Sequence, residues 1–214
     1  MRLISLNVGL PQEVVWRGKP VVTGIFKAPV SGPLRLEPLN LDGDRQADLS
    51  VHGGTYKAVY AYPSEHYAFW RAELPDRDLP WGVFGENFTT EGLDENRLVV
   101  GDRLRLGTAV LRVTEPRVPC YKLGLRFGDP EMTKRFLEAR RSGFYLAVLQ
   151  AGVVEAGQPF ELLERPDHGL TVAQMNSLYA SPNADPALMD RFLELNLSEA
   201  WRTYLQMQVN TRSS

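Results

Sequence analysis

The chain has 214 residues, 43% of them hydrophobic and 23% charged, with a formal net charge of −2. That composition supports a packed core and excludes a disordered chain, and the length allows one large domain, or one of about 160 residues with a small appendage. No stretch concentrates Lys and Arg as a nucleic-acid backbone requires, no apolar run approaches the ~20 residues of a membrane helix, and the N-terminal MRLISLNVGLPQEVV lacks the apolar core and cleavage site of a signal peptide.

Up to Leu163 the chain reads as mainly β, with short alternating runs between turn signals. The expected strands are Leu3–Val8, Val21–Phe26, Lys57–Tyr62, Leu98–Val100, Leu104–Leu106, Ala109–Val113, Tyr145–Leu149 and Phe160–Leu163. The segment VGDRLRLGTAVLRVTEP is the clearest. Leu104 and Leu106 alternate with arginines, Ala109, Leu111 and Val113 alternate beyond Gly107, and the pair reads as two half-buried strands joined by a tight turn. Two helices interrupt this pattern. One follows Pro63, with Tyr67, Trp70 and Leu74 at helical spacing. The other starts at Asp129-Pro130 and stops near Gly143, with Met132, Phe136 and Leu137 as its apolar face.

The composition changes after Glu164, and residues 165–169 read as a linker. The expected division is a β domain, a barrel or sandwich, over residues 1–164 and a three-helix appendage over 168–214. Thr171 with Gln174 forms a capping box for the first of these helices. Asp185-Pro186 starts the second and Ser198 caps the third. Val172, Met175, Leu178, Leu188, Phe192, Leu195, Trp201 and Leu205 form the inward faces. A bundle of 45 or so residues is too small to be very stable alone, so it is expected to pack on the barrel.

Cys120 is the single cysteine, which makes an intrachain disulfide impossible and fits a reducing, cytoplasmic compartment. The histidines are His52, His66 and His168, and no spacing suggests structural zinc. Arg117 and Lys122 flank Cys120 and favour its thiolate, the state needed for attack or metal ligation. The plainer alternative is a buried cysteine acting as a small hydrophobe. His52-Gly53-Gly54 allows positive φ and close backbone approach to an anion, or is an ordinary turn. Lys57 beyond it is either an anion contact or a solvated strand-end lysine. In Phe84-Gly85-Glu86-Asn87-Phe88, Glu86 is a candidate proton donor and Asn87 a candidate partner for a pterin or purine edge; the alternative is a turn between core aromatics. Asp42, Asp44 and Asp48 lack the glutamate of a calcium loop, and Asp44 and Arg45 are expected to pair or cap a turn. His66 reads as a surface or satisfied residue, and His168 as a linker residue.

Taken in order, Gly43-Asp44, Val51-His52-Gly53-Gly54 with Lys57-Ala58-Val59, Phe84-Gly85-Glu86-Asn87, Val100-Gly101-Asp102 and Pro116-Arg117-x-x-Cys120-Tyr121-Lys122 resemble the pattern of the MOSC family. The C-terminal helices resemble the three-helix appendage of its YiiM branch. The resemblance covers about residues 28–163 as the domain core and implies a β-barrel related to the one inserted in pyruvate kinase. It also implies binding of the molybdenum cofactor (molybdopterin) and reduction of N-hydroxylated compounds such as 6-hydroxylaminopurine. On that reading Cys120 is the thiolate ligand of molybdenum, a soft donor suited to that metal. Gly53, Gly54, Lys57, Asn87, Arg117 and Lys122 hold the pterin and its phosphate, and His52 or Glu86 relays protons. With no cysteine cluster the chain cannot hold an Fe–S centre, so electrons must come from a separate flavoprotein or other reductase. Two alternatives from other classes are a sulfur or cofactor carrier using Cys120, and a cysteine hydrolase using Cys120 and His52, for which the sequence offers no orienting residue.

Overall fold

The computed structural model describes residues 1–47, 53–179, 181 and 183–212. In chain order these form β1 (Arg2–Val8), β2 (Gln12–Trp16), β3 (Lys19–Thr23), β4 (Ala28–Val30), β5 (Leu34–Leu36), β6 (Val59–Pro63), α1 (Glu65–Glu73), β7 (Phe88–Glu91), β8 (Arg103–Leu106), β9 (Ala109–Pro116), α2 (Tyr121–Phe127), α3 (Met132–Ala139), β10 (Phe144–Gln150), β11 (Gly152–Val154), β12 (Phe160–Glu164), α4 (Val172–Leu178), α5 (Pro186–Leu193) and α6 (Glu199–Arg212).

Eight strands form one sheet in the order β12-β8-β9-β10-β6-β7-β1-β4, antiparallel except for β6 beside β7. The sheet curls until its ends approach. Leu3 N donates to Gln158 O at 3.0 Å, Gly157 N to Leu3 O at 2.7 Å and Phe160 N to Met1 O at 3.1 Å, so the seam is held by single bonds and not by a continuous ladder. Alternation puts Leu104, Leu106, Ala109, Leu111 and Val113 inside, as their spacing predicts. Small ladders β11-β5 and β2-β3 lie outside the main sheet.

The expected run Val21–Phe26 stops at Thr23, because Gly24 brings the backbone against Arg45: a Cβ there would meet Arg45 O at 2.4 Å. Leu98–Val100 is not a ladder strand; it exchanges bonds with the start of the appendage, Val100 N to Leu170 O and Val172 N to Leu98 O, both near 2.9–3.0 Å. The helix expected from Asp129 to Gly143 is shorter. Asp129 bonds Glu131 N and so closes a turn, the helix begins at Met132, and Arg140 at φ 55° ends it.

The helical segment forms as its caps predict. The Thr171–Gln174 capping box is complete, Asp185 accepts from Ala187 N ahead of Pro186, and Ser198 Oγ accepts from Trp201 N. Residues 165–169 are tied down at several points. Arg165 makes a two-pronged contact with buried Asp102 at 2.9 and 2.6 Å, and Leu170 N donates to His168 Nδ1. Val172, Met175, Leu178, Phe192, Trp201 and Leu205 join the same continuous core as Leu104, Leu111 and Val113. A second, aromatic cluster of Tyr60, Tyr62, Tyr67, Trp70, Phe84 and Phe136 fills the space between β6 and α1–α3. No helix among the described residues is long and apolar enough to cross a membrane.

Candidate functional site

β9 ends at Pro116, and the chain runs extended to Cys120, which adopts φ −117° and ψ 169° as the N-cap of α2. Three residues earlier, Arg117 turns inward and is only 6% exposed. Its Nη1 donates to Phe84 O at 2.7 Å and Tyr60 Oη at 3.3 Å, and its guanidinium lies 4.7 Å from the Tyr60 ring centre and 5.3 Å from that of Phe136. Burial works against this charge, but Tyr60, Tyr145 and Cys120 outweigh it, and the guanidinium is held more firmly protonated than usual. Burial in turn pushes the Tyr145 hydroxyl up to about 12, with Arg117 pulling against it.

Cys120 opens on a cleft enclosing about 690 Å³, part of it continuous with solvent. The wall carries Lys27, Arg45, Lys57, Arg117 and Lys122, and no carboxylate stands among its described lining residues. Lys27 is paired with Asp44, and Lys57 lies 3.4 Å from Glu115. Burial lowers the pKa of Lys27 although Asp44 supports its charge. Among the described residues Arg117 and Lys122 have no carboxylate within ion-pair distance. Backbone approaches the cleft closely at Gly24 and at Gly85, where φ is +83° and a Cβ would meet Ile25 Cγ1 at 2.9 Å. Gly53 and Gly54 both have positive φ, 90° and 82°, as the double glycine predicts, and Gly53 lines the cleft. The soft sulfur, cations in excess of carboxylates and glycine-walled backbone fit a metal-bound, phosphorylated pterin.

Of the residues singled out in the sequence, Cys120, Gly53, Lys57, Asn87, Arg117 and Lys122 line this one cleft. His52 lies outside the described residues. Gly54 is adjacent to the wall but not part of it. Glu86 is fully buried and is not a lining residue. Its Oε1 accepts from Tyr67 Oη, Gly82 N and Thr89 Oγ1, so the structure does not bring this expected relay to the cleft wall. Asn87 lines the cleft with its amide already committed: Oδ1 accepts from Tyr60 N, and Nδ2 donates to Asp44 Oδ2 at 2.9 Å and to Asn7 O at 3.4 Å. With both donors engaged, its amide nitrogen has no hydrogen left for a ligand edge.

Sequence reasoning missed Lys27, Arg45, Tyr60 and Tyr145, which reach the cleft from β6, β10 and the loops after β3 and β5. The one local signal was Asp44: a buried acid needs a cation, and Lys27 supplies it. His66 is indeed satisfied, its Nε2 2.8 Å from both Glu95 oxygens, well inside the fold and away from the cleft lining.

Residues 48–161 match the MOSC domain family and residues 170–212 match the YiiM-like, 3-alpha helix domain. YflK of Bacillus subtilis (strain 168) is 42% identical over 201 residues, 94% of this chain and 90% of the relative. A Gibberella moniliformis protein named "Reductase" is 35% identical over 185 residues, 85% of this chain but only 33% of the fungal protein. The crystal structure of YiiM from Geobacillus stearothermophilus superposes with a TM-score of 0.81 at 34% identity, covering 97% of this chain and 98% of that one.

Proposed function

This chain belongs to the MOSC-domain family, in the branch that carries the YiiM-like three-helix domain, and on that premise we propose that it binds the molybdenum cofactor and reduces N-hydroxylated compounds, 6-hydroxylaminopurine among them, to amines. The observation that carries this reading is the shared cleft: one thiol-bearing side chain and several cations, with no carboxylate among the described lining residues. The cofactor, when bound, supplies the two-electron chemistry. Cys120 offers the sulfur ligand, and Arg117, Lys57 and Lys122 offer charge to its phosphate. Arg117 is already fixed by Phe84 O and the Tyr60 ring, so it meets an anion without losing rotamer freedom.

Reduction of R–NHOH breaks one N–O bond, consumes two electrons and two protons, and releases the amine and water. Glu86 does not line the cleft, which leaves His52, the other relay that the resemblance implies, or a titratable group of the wall. Lys27 lines the wall with a lowered pKa, whereas burial raises those of Tyr60 and Tyr145; of these three Lys27 is the better acid near neutrality. Electrons come from a separate flavoprotein or other reductase. The fungal relative supports this arrangement, since two thirds of a chain named for reductase activity lies outside the part shared with this protein.

The test is to purify the full chain from cells that make the cofactor and to measure molybdenum and pterin. Turnover of 6-hydroxylaminopurine is then followed with NADPH and a flavin reductase. Stoichiometric metal and pterin, with turnover only when the reductase is present, is the expected result. Folded Cys120→Ser should purify without metal, because a hydroxyl is a poor partner for molybdenum. A persulfide on Cys120 with no molybdenum would instead support a sulfur carrier.

A further inference from the structure

We propose that the turn between α5 and α6 is a working part of the cleft: through Asn196 and Tyr56 it fixes the backbone that carries Lys57 and so sets the affinity of the cleft for an anionic group. The inference rests on the reading of the cleft as an anion site. Lys57 follows Tyr56, and Tyr56 is anchored on both sides. Its hydroxyl donates to Asn196 Oδ1 at 2.7 Å across 140 residues of sequence. Its carbonyl accepts from Thr114 Oγ1 at 2.6 Å, and the same hydroxyl lies 3.0 Å from the carbonyl of Tyr145, a cleft residue. The Arg112 guanidinium covers the Tyr56 ring at 5.5 Å.

Lys57 is also paired with Glu115. Its carboxylate is 2% exposed and meets Lys57 Nζ through Oε1, while Oε2 is buried with no hydrogen-bond partner. Burial raises the pKa of Glu115, and Lys57 pulls it back. A buried carboxylate with so few partners is sensitive to each of them. The turn that carries Asn196 is tied to its neighbours. Arg202 donates to Leu193 O at 3.0 Å and Leu195 O at 2.7 Å, and Leu197 and Phe192 are buried in the core shared with the barrel. Core packing therefore fixes Asn196, which through Tyr56 fixes the backbone of Lys57.

Cys120 reports on occupancy, because it shares the cleft with Lys57. The experiment measures the rate of Cys120 alkylation by iodoacetamide against inorganic phosphate, in the full-length protein and in Asn196→Ala, Tyr56→Phe and the double variant. Phosphate should slow the reaction in the parent protein. Each single variant should need about three- to tenfold more phosphate for the same protection, the range that one lost hydrogen bond produces. The double variant should lose no more than either single one, since both remove the same contact. Met207→Ala, at a 62% exposed position of α6, should behave as the parent. Equal protection constants in the parent and Asn196→Ala would overturn the inference while leaving the anion site standing. Additive losses in the double variant would also overturn it. Absence of phosphate protection in the parent would remove the anion site, and this proposal with it.

Discussion

Glu86 and Asn87 are adjacent polar residues between aromatics, and their chemistry alone suggested a relay and a ligand contact. Glu86 lies below the cleft lining, and Asn87 lines it with both amide hydrogens engaged. Both belong to a buried network with Tyr67, Thr89, Asn7 and Asp44 that fixes the floor of the barrel mouth. Such networks stabilise only when every member is satisfied, and Glu86 Oε2 is buried without a partner. Burial therefore raises the pKa of Glu86, with Tyr67, Gly82 and Thr89 holding it back. The sign of the linkage follows. Between the ordinary carboxyl value of about 4.3 and the raised folded value, the folded state holds a proton that the unfolded state has lost. Stability contributed by Glu86 is thus present below that window and is lost as pH rises through it. Glu86→Gln keeps an acceptor at Oε1 and cannot ionise. Its urea midpoint should rise relative to the parent as pH increases from about 4 to 8; a constant difference between the two proteins would show that folding does not shift the pKa of Glu86.

Among the elements, long alternating strands were legible because each buries one face: β8, β9 and β10 stand where alternation puts them. The helix caps at Thr171, Asp185 and Ser198 were equally legible, since capping is local chemistry. The helix after Cys120 was not. In α2, Leu123, Gly124, Leu125 and Phe127 are all buried, so no amphipathic stripe marks it, and Pro116 and Pro119 suggest extended chain just before it. Gly128 at φ 62° was its available signal, a left-handed stop closing on Gly124 O and Leu125 O. The three-residue strands β4, β5 and β11 are too short to show a period. Gly143, at the entry to β10, shows how an element junction supports the cleft. Its φ is 63°, its N–H donates to Glu95 Oε1 at 2.8 Å, and a Cβ would meet Ala61 O at 2.5 Å and the rings of Tyr62 and Tyr60 at 2.8 and 2.9 Å. Gly143→Ala should cost about 2–4 kcal/mol, combining a left-handed alanine with displacement of β6. It should also weaken phosphate protection of Cys120, because Tyr60 carries Arg117. A denaturant midpoint within experimental error of the parent would show that β6 yields without cost.

For the molecule as a whole, the change from strands to helices after Glu164 does not coincide with a break in the core. Leu98, Val100 and Val113 of the barrel share one cluster with Leu170, Val172, Met175, Phe192, Trp201 and Leu205. The backbone crosses the junction as well. Ala173 N donates to Glu95 O at 2.9 Å, Arg140 donates to Asn176 O at 3.0 Å, and Arg165 satisfies buried Asp102. From sequence, the bundle's apolar faces implied a matching surface without showing where it lies; the structure puts it at residues 95–100 and on β9. Each large side chain taken out of water contributes about 1.5–3 kcal/mol, against a total stability of about 5–15 kcal/mol for a typical protein. Removing residues 168–214 would withdraw several such contacts at once and uncover Leu98 and Val100. It would also leave Val100 N and the carbonyls of Leu98 and Glu95 without their partners. A chain ending at residue 167 should therefore lose its cooperative unfolding transition and collect in the insoluble fraction, a greater loss than reduced solubility alone. A chain ending at residue 183 keeps α4 and its bonds to Glu95 and Leu98, and should recover part of the soluble yield without α5 and α6. If the shorter chain stays soluble and unfolds cooperatively at the midpoint of the full protein, the shared core contributes no stability.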